Sequence, residues 1–237
     1  MRNIHVYKKE LDYTYTLGAF ATFELLKTRP EQVMQVFVHS AYKDIKSLHE
    51  ICSEKHIVLM QNDQVFNRIS QKENCFVIGQ FSKYISRLSK ARPHVVLVNP
   101  RDMGNLGTII RTLTGLGIND LAIITPAADH WNPKAVRASM GALFRLEIEV
   151  FASFEEYRQR FMTHMIYPFM IDGEISLGMG NIPQVKHYSL VFGNEATGLP
   201  ECFRDVGTSI QIPQSGMVDS FNLAVSVGIG AFMFANR

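Results

Sequence analysis

Val95-Val96-Leu97-Val98-Asn99-Pro100-Arg101-Asp102-Met103-Gly104-Asn105-Leu106-Gly107 is the stretch on which the reading of the fold turns. Four consecutive apolar residues predict a strand buried on both faces. A polar loop follows, and then a helix whose apolar stripe is Leu106, Ile109, Ile110, Leu113 and Leu116. A buried strand, a loop at its carboxyl end and an amphipathic helix form one unit of an open α/β sheet, and ligands bind at such loops. Asn105 stands at the helix entry, where it is either an N-cap or a functional group. Arg111 sits at the edge of the stripe, either as a snorkelling surface residue or as a cation aimed into a cleft.

Working outward, the same pattern recurs. Leu121-Ala122-Ile123-Ile124, Ser189-Leu190-Val191-Phe192 and Ile210-Gln211-Ile212 read as further strands. Helical spacing runs from Leu106 to Leu116, Phe154 to Met165 and Ser220 to Ala235. This predicts an α/β domain with a mostly parallel sheet over 94–237. Leu223 to Ala235 is too short to span a membrane and reads as a buried helix. Upstream, helical spacing at Leu17, Phe20, Ala21, Glu24 and Leu25 ends at Pro30. Short strands at Val36–Val38, Ile57–Met60 and Cys75–Gly79 alternate with helices around Leu48 and Val65. A small α/β domain over 1–81 is therefore expected, then a basic linker over 82–93.

The whole chain has 237 residues and a formal net charge of +2, which hides an asymmetry. Residues 1–93 carry 14 Lys and Arg against 9 Asp and Glu, whereas the remainder carries 10 against 13. No acidic residue lies between Glu73 and Asp102, while Lys83, Arg87, Lys90, Arg92 and Arg101 do. Such a run points to an anionic partner or to a basic solvated surface. Three separated cysteines without a C-x-x-C pair, and eight histidines without H-E-x-x-H, predict a reduced protein with no metal. Met1-Arg2-Asn3-Ile4-His5 lacks the apolar core of a signal peptide, so a cytoplasmic location is expected.

Two more loops follow strands. Phe192-Gly193-Asn194-Glu195-Ala196-Thr197-Gly198-Leu199-Pro200 places glycines around a Glu, which allows close backbone approach to a ligand or makes a plain turn. Ile212-Pro213-Gln214-Ser215-Gly216-Met217-Val218-Asp219-Ser220-Phe221-Asn222 leads into the last helix. There Asp219 or Ser220 can cap the helix, and Ser220 and Asn222 can instead face a substrate.

In this order and spacing, the three loops resemble the motifs of the SpoU–TrmH class of SPOUT RNA methyltransferases. The likeness covers about residues 94–237 and includes the segment Asn132 to Ala142. Residues 1–81 are similar, less specifically, to the L30e-like substrate-binding domain that precedes this catalytic domain in many members. Two positions depart from the pattern: Phe221 stands where Leu is usual, and Ala196 where Gly is usual.

The resemblance implies an α/β domain with a deep trefoil knot, a homodimer, and S-adenosylmethionine bent in the knot. Gly193, Ile212 and Phe221 would line the cofactor site. The implied reaction is methyl transfer to a ribose 2′-hydroxyl in RNA, with ribosomal RNA favoured over transfer RNA. Arg111 would act on the hydroxyl, Asn105 and Glu195 would orient Arg111 and the ribose, and Ser220 and Asn222 would shape the third loop. Lys83, Arg87, Lys90 and Arg92 would hold RNA phosphates, and no membrane is expected as a partner. The alternative is a non-catalytic RNA-binding or ribosome-assembly protein that keeps the fold. A Rossmann-type nucleotide enzyme is disfavoured, because Met103-Gly104-Asn105-Leu106-Gly107 does not supply G-x-G-x-x-G.

Overall fold

A computed structural model describes residues 4–70, 74–178 and 180–236. The first three residues of the amino-terminal stretch read above lie outside the described residues. In chain order the elements are β1 (Tyr13–Leu17), α1 (Ala19–Thr28), β2 (Val33–Val38), α2 (Ile45–Glu54), β3 (Leu59–Gln61), α3 (Asp63–Ile69) and β4 (Val77–Ser82). There follow β5 (His94–Val98), α4 (Met103–Gly115), β6 (Asp120–Ile124), α5 (Pro133–Ala138), β7 (Glu147–Phe151), α6 (Phe154–Arg160) and β8 (Met165–Pro168). The chain closes with β9 (Ile175–Ser176), β10 (Tyr188–Phe192), β11 (Ile210–Gln211) and α7 (Leu223–Ala235). Two compact units result, one of Met1–Tyr84 with Asp129–Arg145 and one of Ile85–Ala128 with Leu146–Arg237.

The first unit holds a four-stranded sheet in the order β1-β4-β2-β3. β1 and β2 run antiparallel to β4, and β3 runs parallel to β2. Tyr13–Leu17 is a strand rather than the start of a helix. Its alternating Tyr and Thr residues suit a pleated surface, and Thr14 and Thr16 are buried because their hydroxyls have partners. The helix begins only after Gly18, whose φ of 109° breaks the strand direction.

The sequence reading divides the chain contiguously at 81 and 93, but the units are not contiguous. Asp129–Arg145 packs with the N-terminal elements, α5 against β1 and the following 3-10 turn (Ala142–Arg145) against α1. Gly141 has φ +80°, and a Cβ there would come within 2.5 Å of the Glu24 Cβ, so both conformation and space select glycine.

The second unit holds a five-stranded sheet in the order β7-β6-β5-β10-β8, with every neighbouring pair parallel. β5, β6 and β10 are the inner strands, and all their residues are buried. Val96, Val98, Ala122, Ile124 and Val191 share one core with Tyr157 and Phe161 from the α6 side. Their sequence neighbours Val95, Leu97, Leu121, Ile123 and Leu190 alternate to the opposite face. α7 packs on β10 and on α4. Leu106, Ile109, Ile110 and Leu113 of α4 are fully buried, each worth roughly 1.5–3 kcal/mol of transfer free energy.

Two expectations are corrected, and one strand was not expected. Ile210–Gln211 is not in the main sheet and pairs with β9 in a separate two-stranded sheet. The helix expected to reach Met165 stops at Arg160, and Met165–Pro168 is instead the edge strand β8. β7 is the other edge; its Glu147 and Glu149 interrupt the apolar run, which hid it in the sequence.

The amino ends of the parallel strands carry a buried polar chain. His94 Nε2 lies 2.8 Å from the Ser89 carbonyl and its Nδ1 2.8 Å from the Tyr157 hydroxyl. His164 mirrors this, with Nε2 3.1 Å from the Lys90 carbonyl and Nδ1 3.0 Å from Ser189 Oγ. Carbonyls only accept, so each Nε2 carries the proton. Ser89 N–H donates to Asp120, which also pairs with Arg92 at 2.6 Å, and Leu88 N–H donates to Glu149. Residues 88–92, read as a linker, are thereby tied to the sheet.

Burial pushes the His94 imidazole down to about 3, against the pull of its bond to Ser89. The unfolded chain takes up this proton near the ordinary value of 6.5 and the folded chain does not. Stability is therefore full above about 6.5 and is lost as pH falls toward about 3, by up to ~1.4 kcal/mol per pH unit. His94→Gln is expected to show a shallower loss of urea midpoint between neutral pH and pH about 4 than the unsubstituted protein. Equal slopes would remove His94 from this account.

Candidate functional site

Three loops meet beyond the carboxyl ends of β5 and β10. The first, Asn99–Asp102, leaves β5 with Asn99 in the left-handed region at φ 54°, a conformation Asn tolerates better than most residues. Asp102, rather than Asn105, caps α4, because its carboxylate accepts the Asn105 N–H at 2.7 Å. Asn105 is left with its side chain free of capping duty.

The second loop doubles back tightly after β10. Asn194 and Gly198 exchange backbone hydrogen bonds at 3.2 and 2.9 Å. Gly198 has φ +65°, and a Cβ on Gly193 would lie 2.1 Å from the Gly198 carbonyl carbon. Ala196, where the family pattern has Gly, is not among the positive-φ residues, so a methyl is accommodated there. Asn194 locks the turn: its Oδ1 accepts from Ala196 and Thr197 N–H, and its Nδ2 donates to the Asn99 carbonyl at 2.7 Å.

Glu195 is the junction between the first two loops. Its carboxylate accepts from the Arg101 N–H at 3.0 Å, the Asp102 N–H at 3.0 Å and Asn105 Nδ2 at 3.4 Å. Burial opposes ionisation of this carboxyl, but the Asp102 and Arg101 amides and the Asn105 amide together outweigh it and hold it below the usual range. Asn222 adds the third loop. Its Nδ2 donates to Asn105 Oδ1 at 3.0 Å, while its Oδ1 caps α7 by accepting the Ala224 N–H at 2.8 Å. The cap is therefore Asn222, not Asp219 or Ser220.

A cavity of about 260 Å³ opens beside this junction. Gly193, Glu195, Ile212, Ser220 and Phe221 line it, over the stacked rings of Phe169 and Phe192, 4.3 Å apart. An open groove lined by Arg101, Asp102, Asn194, Glu195 and Ala196 shares three residues with it. Of the residues expected from sequence, Asn105 and Asn222 do not line the cavity; Asn105 is tied to it through Glu195, and Asn222 through Asn105. Arg111 is exposed on α4 and lines neither cavity nor groove.

The basic segment divides. Lys83 Nζ donates to the Lys9 carbonyl at 2.8 Å and lies over the Tyr7 ring. Arg92 is held by buried Asp120. Arg87 and Lys90 are exposed. Tyr84 packs edge-on against Trp131 and under Arg29. Sequence reasoning missed Asn194, whose only signal was a polar residue inside the turn bracketed by Gly193 and Gly198. It also missed the partner of Arg92, signalled by an Asp at the head of an apolar strand.

Comparison with known proteins places these loops. The profile of the SpoU rRNA Methylase family matches residues 92–232, and the chain belongs to that family. Over 149 residues it is 32% identical to the 23S rRNA (adenosine(1067)-2'-O)-methyltransferase of Streptomyces laurentii, covering 60% of this chain and 54% of that protein. It is 26% identical over 144 residues to the 23S rRNA (guanosine(2553)-2'-O)-methyltransferase RlmP of Bacillus subtilis, covering 60% and 58%. The chain spans little more than half the length of such curated relatives. The AdoMet-bound rRNA methyltransferase of Sinorhizobium meliloti superposes with a TM-score of 0.78 at 27% identity, covering 94% of this chain and 87% of that one. The SpoU methyltransferase AviRb of Streptomyces viridochromogenes, at 18% identity and a TM-score of 0.81 over 94% and 90%, shares the fold.

Proposed function

We propose that this protein transfers a methyl group from S-adenosylmethionine to a ribose 2′-hydroxyl of RNA, with ribosomal RNA favoured over transfer RNA. The observation that carries this reading is the Glu195–Asn105–Asn222 hydrogen-bonded junction against a glycine-walled cavity. The cavity suits the cofactor. Gly193 and Gly198 give the wall backbone without side chains, Phe221 offers a ring at the rim, and Glu195 and Asp219 set carboxylates near a cationic sulfonium. When bound, the cofactor supplies an already activated methyl group.

The chain's own residues then position the acceptor and handle its proton. Glu195 fixes the first loop, Asn105 and Asn222 set the ribose-facing edge, and Ser220 shapes the third loop. A guanidinium is a poor proton acceptor, so the main role assigned to Arg111 is to stabilise the developing alkoxide as the 2′-hydroxyl proton passes to solvent water.

We assign a homodimer as the working form. Val225 and Phe232, seven residues apart on one face of α7, are 48% and 54% exposed, an apolar face suited to a second copy. Arg111 lies outside its own chain's cavity, so the second copy is what would bring an Arg111 to it. A trefoil knot is part of this reading. It is supported by close backbone approaches between segments far apart in sequence, where a Cβ at Gly173 would meet Ile210 and one at Gly207 would meet Ile166. The first unit, with its mixed sheet and helices, is assigned as an L30e-like RNA-docking domain. Exposed Arg87 and Lys90 are assigned to RNA phosphates, whereas Lys83 and Arg92 are committed to internal partners. Among the described residues no helix is long and apolar enough to cross a membrane.

Incubation with tritiated S-adenosylmethionine and separated ribosomal and transfer RNA tests the substrate class. Label is expected in ribosomal RNA. RNA binding without label in either pool would favour the non-catalytic alternative.

A further inference from the structure

The two exposed linker cations are badly placed for the reacting nucleotide. Lys90 is held through its carbonyl by His164, and Arg87 precedes Leu88, whose N–H is held by Glu149; both belong to the amino end of the sheet. The cavity lies past the carboxyl ends, a strand of five residues away, or about 17 Å. The cavity itself is lined by Glu195 and Asp219 and by no Lys or Arg among the described residues. An RNA strand entering there would meet carboxylates and no cation of the same chain, Arg111 of a second copy being assigned to the reacting hydroxyl, although the phosphates of a nucleotide flank its ribose.

Arg101 resolves this. It lines the groove that shares Asn194, Glu195 and Ala196 with the cavity. Its side chain is exposed, and among the described residues it forms no ion pair, unlike Arg92, Arg160 and Arg204 of the same unit. Its own backbone N–H is clamped by Glu195 at 3.0 Å, and the next N–H likewise. The loop is therefore fixed while the guanidinium is left for an external anion. A planar donor fork on an immobile stem suits bidentate binding of a phosphate.

We infer that Arg101 binds the RNA phosphate next to the target ribose and sets which nucleotide reaches the cavity. The inference rests on the RNA methyl-transfer reading above. Arg101→Ala is expected to raise the KM for a ribosomal RNA transcript about tenfold with kcat nearly unchanged, as one lost charged phosphate contact would. S-adenosylmethionine affinity by calorimetry should stay the same. In fluorescence anisotropy with the labelled transcript, the slope of log K against log salt should fall by about 1. Arg101→Lys should recover most of the salt slope but less of the KM. Lys186→Ala, which removes an exposed charge just before β10 at the amino end of the sheet, should leave both unchanged. An unaltered KM and slope in Arg101→Ala would overturn the inference, as would a defect confined to cofactor affinity. If the unsubstituted protein methylates no RNA, the functional reading fails, and the salt slope still tests Arg101 by itself.

Discussion

Gly193→Ala is expected to abolish cofactor binding and to lower the melting temperature. An added Cβ would stand 2.1 Å from the Gly198 carbonyl carbon, 2.3 Å from its oxygen and 2.3 Å from the Leu199 nitrogen. All three are backbone atoms, so no rotamer relieves the clash. The loop cannot slide either, because Asn194 and Gly198 are paired and Asn194 grips the Asn99 carbonyl. Opening it would pull Glu195 from the Arg101 and Asp102 amides and so loosen the first loop as well. A buried overlap of this kind costs about 3 kcal/mol, or roughly 6–12 °C for a chain of this size. Affinity for S-adenosylmethionine should fall at least about a hundredfold in the same measurement that leaves Gly178→Ala unchanged. Gly178 is the control because nothing lies within 4 Å of its would-be Cβ. Normal affinity in Gly193→Ala would mean that the cofactor does not use this cavity.

Arg111→Ala should eliminate methyl transfer and leave cofactor binding intact. Loss of one preorganised charge-stabilising group commonly costs about 10²–10³ in rate. Cofactor affinity should survive because Arg111 lines neither cavity nor groove. The dimer proposal sharpens the test. Chains carrying Arg111→Ala and chains carrying Gly193→Ala, each inactive alone, should regain activity when mixed, because one chain offers an intact cavity and the other an intact Arg111. The cofactor-affinity defect of Gly193→Ala must be confirmed separately, so that failure to mix is distinguished from failure to complement. Verified mixed dimers without activity would place Arg111 in its own chain's site.

Much of the second unit was legible because its inner strands are buried on both faces, which leaves unbroken apolar runs such as Val95–Val98 and Leu121–Ile124. Edge strands carry no such mark. β7 mixes Glu with Ile and Val, and β8 ends in Pro168, so both passed for loop or helix. β1 was hidden for a different reason: Leu17 fits the helical spacing of α1 as well as the end of a strand, and only Gly18 divides them. At the site, the residue types were legible one by one, but their meeting was not. Glu195 is 93 residues from Asp102 in sequence, and Asn222 is 117 from Asn105. Contacts over such separations depend on how the strands order themselves, which local periodicity does not encode. The packing of Asp129–Arg145 with the N-terminal elements is another long-range outcome of this kind. Charge was the weakest guide. Lys83 and Arg92 looked like Arg87 and Lys90 in the sequence, yet the first pair is occupied within the fold.

The central claim is ribose methylation, and the nucleoside product tests it most directly. After incubation with S-adenosylmethionine, ribosomal RNA would be digested to nucleosides and analysed by mass spectrometry. The account predicts a single new 2′-O-methylnucleoside, absent when Arg111→Ala replaces the unsubstituted protein. A methyl group on a base, or RNA left unmethylated by a protein that binds both RNA and cofactor, would contradict it.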